Sequence, residues 1–227
     1  MILLNNLGKF FKESLKIAGF LCFSFPVYAN ELCETFYKEP VVTTNIKYGK
    51  EVVKSVSREE ILNLNGLKNP KITLGVTRSD FSIKYDFGFE RYKINEGVCA
   101  ILSNINFTIG YKDIDILIDD KYLEGSCEYN AIKDHEEGHV DIYRKQLKYY
   151  GTLILKELRR IAVDVGPIYF TSKISERKLG DKIQKMVFEN KNIKILRSKL
   201  EKALISENSS YDNEEEYARV KNLCKSW

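Results

Sequence analysis

Histidine and proline are scarce in this sequence, and both scarcities narrow the possible functions. The 227 residues include 2 histidines, 4 prolines and 13 glycines. A chain with so little proline and glycine is neither collagen-like nor a low-complexity segment. Both histidines fall within one five-residue stretch. None is left for a catalytic triad built on a serine or cysteine nucleophile.

A strong excess of one charge is also missing. Lys and Arg number 36 against 32 Asp and Glu, which gives a formal net charge of +4 at pH 7. Because this excess is small and spread along the chain, we expect no nucleic-acid partner. Hydrophobic residues make up 44% and charged residues 30%, which is typical of a globular protein. The length predicts a single domain over residues 30–227.

The first 29 residues have the pattern of a signal peptide. Lys9, Lys12 and Lys16 precede the apolar run Ile17–Tyr28, which Ala29 closes. A short apolar run that ends in a small residue is typical of a segment cut by signal peptidase. It is also shorter than the roughly 20 residues that span a bilayer. We therefore predict export to the periplasm or the extracellular space, without stable membrane insertion.

Four cysteines follow the predicted cleavage site: Cys33, Cys99, Cys127 and Cys224. Four cysteines in an exported chain predict two disulfides. We expect Cys99–Cys127, which would fasten the strand region to the next helix, and Cys33–Cys224, which would tie the two ends of the mature chain. A zinc site of four thiolates is disfavoured because no C-x-x-C pair is present.

The first half of the chain has the period of β-strands. Apolar and polar residues alternate from Pro40 to about Asp120, most clearly in Ile105–Ile109 and Ile114–Ile118. In the latter strand we expect the three isoleucines to share one face and Asp115 to lie on the other. If this strand is at the edge of its sheet, it could pair with an extended peptide.

The second half has the period of helices. Apolar residues recur at steps of three and four from Ile132 to Val165, which predicts one long helix. We expect a second helical segment over Ser175–Ile205, a loop over residues 207–210 and a short helix from Asn213 to Cys224. The predicted fold class is therefore α+β, with an antiparallel-rich sheet followed by a long helix and further C-terminal helices.

The predicted long helix contains the motif H-E-x-x-H, as His135-Glu136-Glu137-Gly138-His139. Residues four apart lie on one helix face, so both imidazoles can bind a single Zn²⁺. Glu136 lies about 100° around the helix, where it can reach a zinc-activated water and act as general base. Gly138 has no side chain and would allow another backbone to approach the helix closely.

The third zinc ligand is left open by the sequence. The metzincin class is excluded because it requires glycine and histidine where Ile142 and Lys145 stand. Glu157 follows His139 by 18 residues, but on one straight helix it would lie about 27 Å away. It qualifies only if the helix breaks near residues 150–152. The other candidates lie in the C-terminal acidic segment: Tyr217, Asp212, Glu214, Glu215 and Glu216.

The motif resembles that of a family of predicted secreted bacterial zinc-dependent proteases. The shared features are a signal peptide, a strand-rich first half, a cysteine before the motif (Cys127) and H-E-x-G-H-x-D, here residues 135–141. Family members tend to end with Tyr-Asp followed by His-Gly. This chain has Tyr211-Asp212, but Tyr217-Ala218 where His-Gly would fall. The resemblance implies a zincin-like fold, with Tyr217 in the role of the family histidine or an incomplete site.

The sequence thus predicts an exported zinc metallopeptidase that acts on a peptide or protein substrate, including one associated with the cell envelope. Zn²⁺ would be held by His135, His139 and a third group, with Glu136 as general base. Tyr217 is a candidate donor to the oxyanion. Two alternatives stay open: an amidase acting on cell-wall peptides, and a non-catalytic envelope-binding module with a relic metal site.

Overall fold

The computed structural model describes residues 31–65, 73–94, 97–171, 175–225 and 227, and the predicted signal peptide lies outside these ranges. The described chain is a mixed α+β structure, as predicted. One helical turn over residues 31–34 comes first. The elements that follow are β1 (Val41–Val56), α1 (Arg58–Asn65), β2 (Gly75–Ile94), β3 (Gly97–Asp119), α2 (Cys127–Asp164), β4 (Ile168–Phe170), α3 (Glu176–Glu189), α4 (Lys191–Tyr211) and α5 (Glu214–Asn222).

The sheet is organised around β3, its longest strand. β2 pairs antiparallel with one side of β3, while β1 pairs parallel with the other side from Asn104 onward. β4 pairs antiparallel with the start of β3. The sheet is therefore mixed, with two of its three pairings antiparallel. The order β1-β3-β2 makes β2 an edge strand and β3 a central one.

The predicted strands Ile105–Ile109 and Ile114–Ile118 are two parts of β3, which corrects the expectation of two separate strands. The chain continues through Gly110, whose φ is +145°. A Cβ at this position would collide with the backbone carbonyl of Lys47 on β1. Glycine therefore lets the strand bend without breaking. The peptide-pairing edge predicted for residues 114–118 is occupied by β1 and β2.

One face of the sheet packs against α2 and forms the core. Ile114, Ile116 and Ile118 are fully buried and lie in one buried cluster that does not include Leu117 between them, as expected for residues that share one face. They belong to the same buried cluster as Leu147 and Leu158 of α2. On the opposite face, Asp115 pairs with Lys54 at 2.8 Å and with Arg78 at 3.0 Å.

The long helix predicted from Ile132 to Val165 is confirmed as the 38-residue α2, which runs unbroken through residues 150–152. The segment predicted as one helix over residues 175–205 is two helices. Asn190 separates them because its side chain accepts from the backbone N–H groups of Asn192 and Ile193 and caps α4.

The predicted loop over residues 207–210 was wrong, since α4 continues to Tyr211. Asn208 is accommodated within the helix because its Nδ2 donates to the carbonyl of Leu204 at 2.7 Å. The short helix predicted from Asn213 to Cys224 is confirmed as α5, and Asn213 caps it by accepting from the backbone N–H of Glu216.

Two disulfides are present, as predicted, but both expected pairings were wrong. The bonds join Cys33 to Cys99 and Cys127 to Cys224. Cys99 lies at the beginning of β3, whereas Cys127 follows its end. At about 3.3 Å per residue, a strand of this length keeps these two cysteines at opposite ends of the sheet.

The disulfides bear on the environment of the chain. Such bonds form and persist in oxidising compartments, so the two bonds suggest an exported protein. None of the helices in the described ranges is long and apolar enough to cross a membrane.

We predict that Leu158→Ala lowers the free energy of unfolding by about 2–5 kcal/mol, because it opens a cavity between α2 and the sheet. Leu158 is fully buried, whereas Val163 on the same helix is 42% exposed. Val163→Ala is therefore the matched control, with an expected change of about 0.5 kcal/mol or less. Denaturant unfolding of both variants tests this, and equal losses would contradict the packing described.

Candidate metal centre

Three side chains from two distant parts of the chain meet at one point. Asp212 Oδ1 lies 3.2 Å from Nε2 of His135 and 3.1 Å from Nε2 of His139. The ligand atoms of these three residues all lie within 4.8 Å of one another, so the group could hold a metal ion. Among the residues that the structure describes, no other group of His, Cys, Asp or Glu side chains converges in this way.

The three side chains come from two helices, α2 and α4. His135 and His139 are four residues apart on α2, so their rings project from one face of the helix. Asp212 is the C-cap of α4, where its backbone N–H donates to the carbonyl of Asn208 at 3.0 Å. The end of α4 thus brings the carboxylate to the face of α2 that carries both imidazoles.

The outer nitrogen of each imidazole also faces an oxygen atom. His135 Nδ1 lies 3.2 Å from Glu216 Oε1, and His139 Nδ1 lies 2.6 Å from Asn208 Oδ1. If all four ring contacts were ordinary hydrogen bonds, both histidines would have to be doubly protonated and positively charged. If the outer contacts fix the proton on each Nδ1, both Nε2 lone pairs are free to coordinate a cation. The donor set therefore fits a metal ion with neutral imidazoles.

Both outer partners are themselves fixed. The Asn208 amide is oriented because its Nδ2 donates to the carbonyl of Leu204, which turns Oδ1 toward His139. Arg219 donates to both carboxylate oxygens of Glu216, at 2.6 and 2.7 Å. These bonds are the main reason that the pKa of Glu216 falls to about 2. Glu216 is therefore a carboxylate at neutral pH.

The electrostatics of the three converging groups favour a cation. Burial lowers the pKa of both imidazoles, but the hydrogen bond to Asp212 and the charge of Glu136 outweigh it, so the pKa of each histidine is raised. Burial opposes ionisation of Asp212 as well, but its bonds to His135 and His139 hold the pKa of Asp212 well below its usual value.

Glu136 lies beside this group, buried against the edge strand β2. The residue is 4% exposed, and burial raises the pKa of its carboxyl group. The Thr77 hydroxyl lies 2.8 Å from Glu136 Oε2 and 3.0 Å from its backbone carbonyl, so it can donate to either. A Cβ at Gly75 would lie 2.8 Å from Glu136 Oε1. The start of β2 therefore fixes the position of this carboxyl group.

A cleft of about 1150 Å³ opens over these residues. Residues 73–74 line it together with residues 75–77 and Phe81 of the edge strand β2, and α4 lines it with apolar side chains that include Leu200 and Leu204. Asp212 keeps 37% of its side chain exposed, so the converging groups are open to the cleft. A cleft of this volume is large enough to admit a small ligand.

The structure separates the sequence candidates for the third ligand. Asp212 meets the two histidines, and Glu216 contacts the far side of His135. Glu157 lies elsewhere, paired with Arg160 at 2.7 Å and bonded to Asn192. The remaining carboxylate candidates, Glu214 and Glu215, are exposed on the first turn of α5.

Tyr217 lies beside the converging group and is not part of it. Its ring centroid lies 5.7 Å from that of His135, and the residue lines the cleft. Burial, followed by the charge of Asp212, raises the pKa of Tyr217 to about 12. Its phenol is therefore protonated at neutral pH and able to donate a hydrogen bond.

Sequence reasoning missed two residues that hold the site. Asn208 lies where a loop was expected, and Thr77 lies on a strand 59 residues from Glu136. Neither forms part of a local motif. The spacing of Asn208 and Asp212, four residues apart, was the one available signal, because it places both on one helix face.

Comparisons of the chain with protein-family models, with curated proteins and with solved structures found no match. The resemblance to secreted zinc-dependent proteases therefore stays a prediction that rests on the motif. The geometry of the site carries the functional proposal instead.

The Cys127–Cys224 disulfide lies close to the site and ties α5 to α2. Cys127 precedes His135 by eight residues, and Cys224 follows Glu216 by eight residues. The disulfide and the His135–Glu216 contact therefore connect the two helices at two levels. A helix as short as α5 is marginal without such support.

We predict that replacing Cys127 and Cys224 by serine weakens metal binding at the converging group, measured with added Zn²⁺, by about 10- to 100-fold, the usual effect of losing a partner of a metal-ligating histidine. Replacing Cys33 and Cys99 by serine is the matched control, because that bond lies at the other end of β3. It should lower stability but leave the zinc dissociation constant unchanged. Competition with a chromophoric chelator measures both, and equal losses would refute a local role.

Proposed function

We propose that this chain is an exported zinc-dependent peptidase with a zincin-like arrangement, in which His135, His139 and Asp212 hold the metal. The observation that carries this proposal is the convergence of both Nε2 atoms on Asp212 Oδ1 while both Nδ1 atoms face other partners. Ligands at 2.0–2.1 Å around a tetrahedral ion lie about 3.3 Å apart. The observed separations of 3.1 and 3.2 Å are close to this value.

The donor set supports zinc over the common hard cations. Ca²⁺ and Mg²⁺ prefer shells of oxygen ligands, whereas two imidazoles and one carboxylate match a catalytic zinc site that keeps a fourth position for water or substrate. The same donors also occur in non-haem iron oxygenases. The buried Glu136 beside the site favours hydrolysis, because an H-E-x-x-H glutamate serves as a general base.

When bound, zinc would polarise a substrate carbonyl and activate water for attack on it. Glu136 would take the proton from the attacking water and pass it to the leaving amine. Thr77 would hold the Glu136 carboxyl group in position for both transfers. Tyr217, a protonated phenol on the cleft wall, would donate a hydrogen bond to the oxygen on which negative charge develops.

The edge strand β2 supports an extended peptide as the substrate. Its first residues line the cleft beside Glu136, and no described strand pairs with its outer side. Unpaired backbone groups at a sheet edge can bind a peptide as an additional strand. This proposal moves the peptide-binding edge from residues 114–118, where the sequence placed it, to the start of β2.

We predict that the purified protein binds about one zinc per chain and that Asp212→Ala or His139→Ala removes most of it. Each variant deletes one of three ligands and leaves the other two with an incomplete site. Glu215→Ala is the matched control, since Glu215 is exposed and was an equal candidate from sequence. Elemental analysis and zinc titration test this, and equal zinc content in Asp212→Ala and Glu215→Ala would exclude Asp212 as a ligand.

We predict that Glu136→Gln keeps zinc but lowers peptide hydrolysis by at least about 100-fold, the lower range for loss of a general base. Turnover of a fluorogenic peptide library and zinc content are measured together. Retained turnover would contradict the role of Glu136. Hydrolysis of cell-wall peptides alone would favour the amidase, and a wild-type protein that binds zinc without any turnover would favour the envelope-binding module.

A further inference from the structure

Tyr211 is the last residue of α4 and immediately precedes Asp212. Its ring stacks on His135, with centroids 5.0 Å apart and planes 12° from parallel. The same ring meets His139 edge-on, at 5.1 Å and 88°. One aromatic side chain therefore contacts both imidazoles of the proposed metal centre.

The contact depends on Gly138, which lies between the two histidines on α2. A Cβ at this position would lie 2.5 Å from Cζ and 2.7 Å from Cε1 of Tyr211. Both distances are too short for real contacts, and any side chain would displace the ring. The sequence predicted that a backbone would approach here, but the structure places the Tyr211 side chain there instead.

A glycine inside a helix is otherwise unfavourable, because alanine is the better helix former. Gly138 therefore has a packing reason that offsets its poor propensity. Gly151 lies further along the same helix, and a Cβ there would lie 3.4 Å from its nearest neighbour, Leu147 Cδ1. Ile46 Cδ1 of β1 would lie 3.7 Å from a Cβ at Gly151, an ordinary van der Waals distance, so the two glycines differ in how closely another element approaches them.

We infer that Tyr211 is a positioning residue, which docks over Gly138 and thereby sets the place of the Asp212 carboxylate beside His135 and His139. The Asp212 side chain is itself 37% exposed, and its ion-pair contacts are with the two imidazoles that it meets. The stacked ring of Tyr211 fixes the backbone from which this carboxylate projects, because one peptide unit joins the two residues.

This inference rests on the proposed zinc centre, and its test measures metal binding without requiring activity. Zinc dissociation constants are measured by chelator competition for wild type, Tyr211→Leu, Tyr211→Phe, Gly138→Ala and Gly151→Ala. Visible absorption of the Co²⁺-loaded forms reports whether the tetrahedral ligand set is kept. Far-UV circular dichroism verifies that each variant folds.

We expect Tyr211→Leu and Gly138→Ala each to weaken zinc binding by about 10- to 100-fold and to reduce the tetrahedral Co²⁺ bands. Tyr211→Phe keeps the stacked ring and should retain most of the affinity. Gly151→Ala should bind zinc as wild type does. Since both damaging changes break the same contact, the double variant should lose no more zinc affinity than the single variant with the larger loss.

Wild-type affinity in both Tyr211→Leu and Gly138→Ala would overturn the inference while leaving the zinc centre intact. Losses that multiply in the double variant would also overturn it, because the two residues would then act separately. If Gly138→Ala fails to fold, Tyr211→Leu decides alone. A wild-type protein that takes up no zinc would overturn the metal centre and this inference together, whereas zinc binding without turnover would refute only the peptidase.

Discussion

The site depends on one contact between distant parts of the chain, in which the carboxylate of Asp212 meets the Nε2 atoms of His135 and His139. A single helical turn can present two imidazoles on one face but cannot surround an ion with ligands. In the proposed metal centre, the third ligand must therefore come from another element. The helices after the sheet fold back along α2, and the end of α4 supplies the missing oxygen. The C-terminal helices therefore complete the site as well as covering the core.

Residues from several elements hold His135, His139 and Glu136 in place. Asn208 and Glu216 face the outer nitrogens of the imidazoles, so the rings cannot rotate without losing a partner. The start of β2 buries Glu136 and bonds it through Thr77. The disulfide at Cys127 keeps α5 beside α2. These supports come from β2, α4 and α5, so the geometry of the site depends on how these three elements pack around α2.

The sequence predicted the parts of the molecule that depend on local spacing. Alternation of apolar and polar residues located the strands, and apolar residues at steps of three and four located α2. The H-E-x-x-H motif located the two histidines. Pairings between residues distant in sequence could not be predicted. The sequence analysis joined Cys99 to Cys127, and it left Asp212 as one of several equal candidates for the third ligand. Helical propensity alone could not show that α4 continues through Asn208, because a side-chain bond to Leu204 offsets the preference of asparagine for loops.

The separation of Asp212 from the motif sets an order of events during synthesis. Chains are made from the N-terminus at about 5–20 residues per second, and 73 positions separate His139 from Asp212. For roughly 4 to 15 seconds the growing chain carries both imidazoles without the oxygen that completes them. A site built this way stays incomplete until the end of α4 has been made, so the converging group is among the last features of the molecule to form.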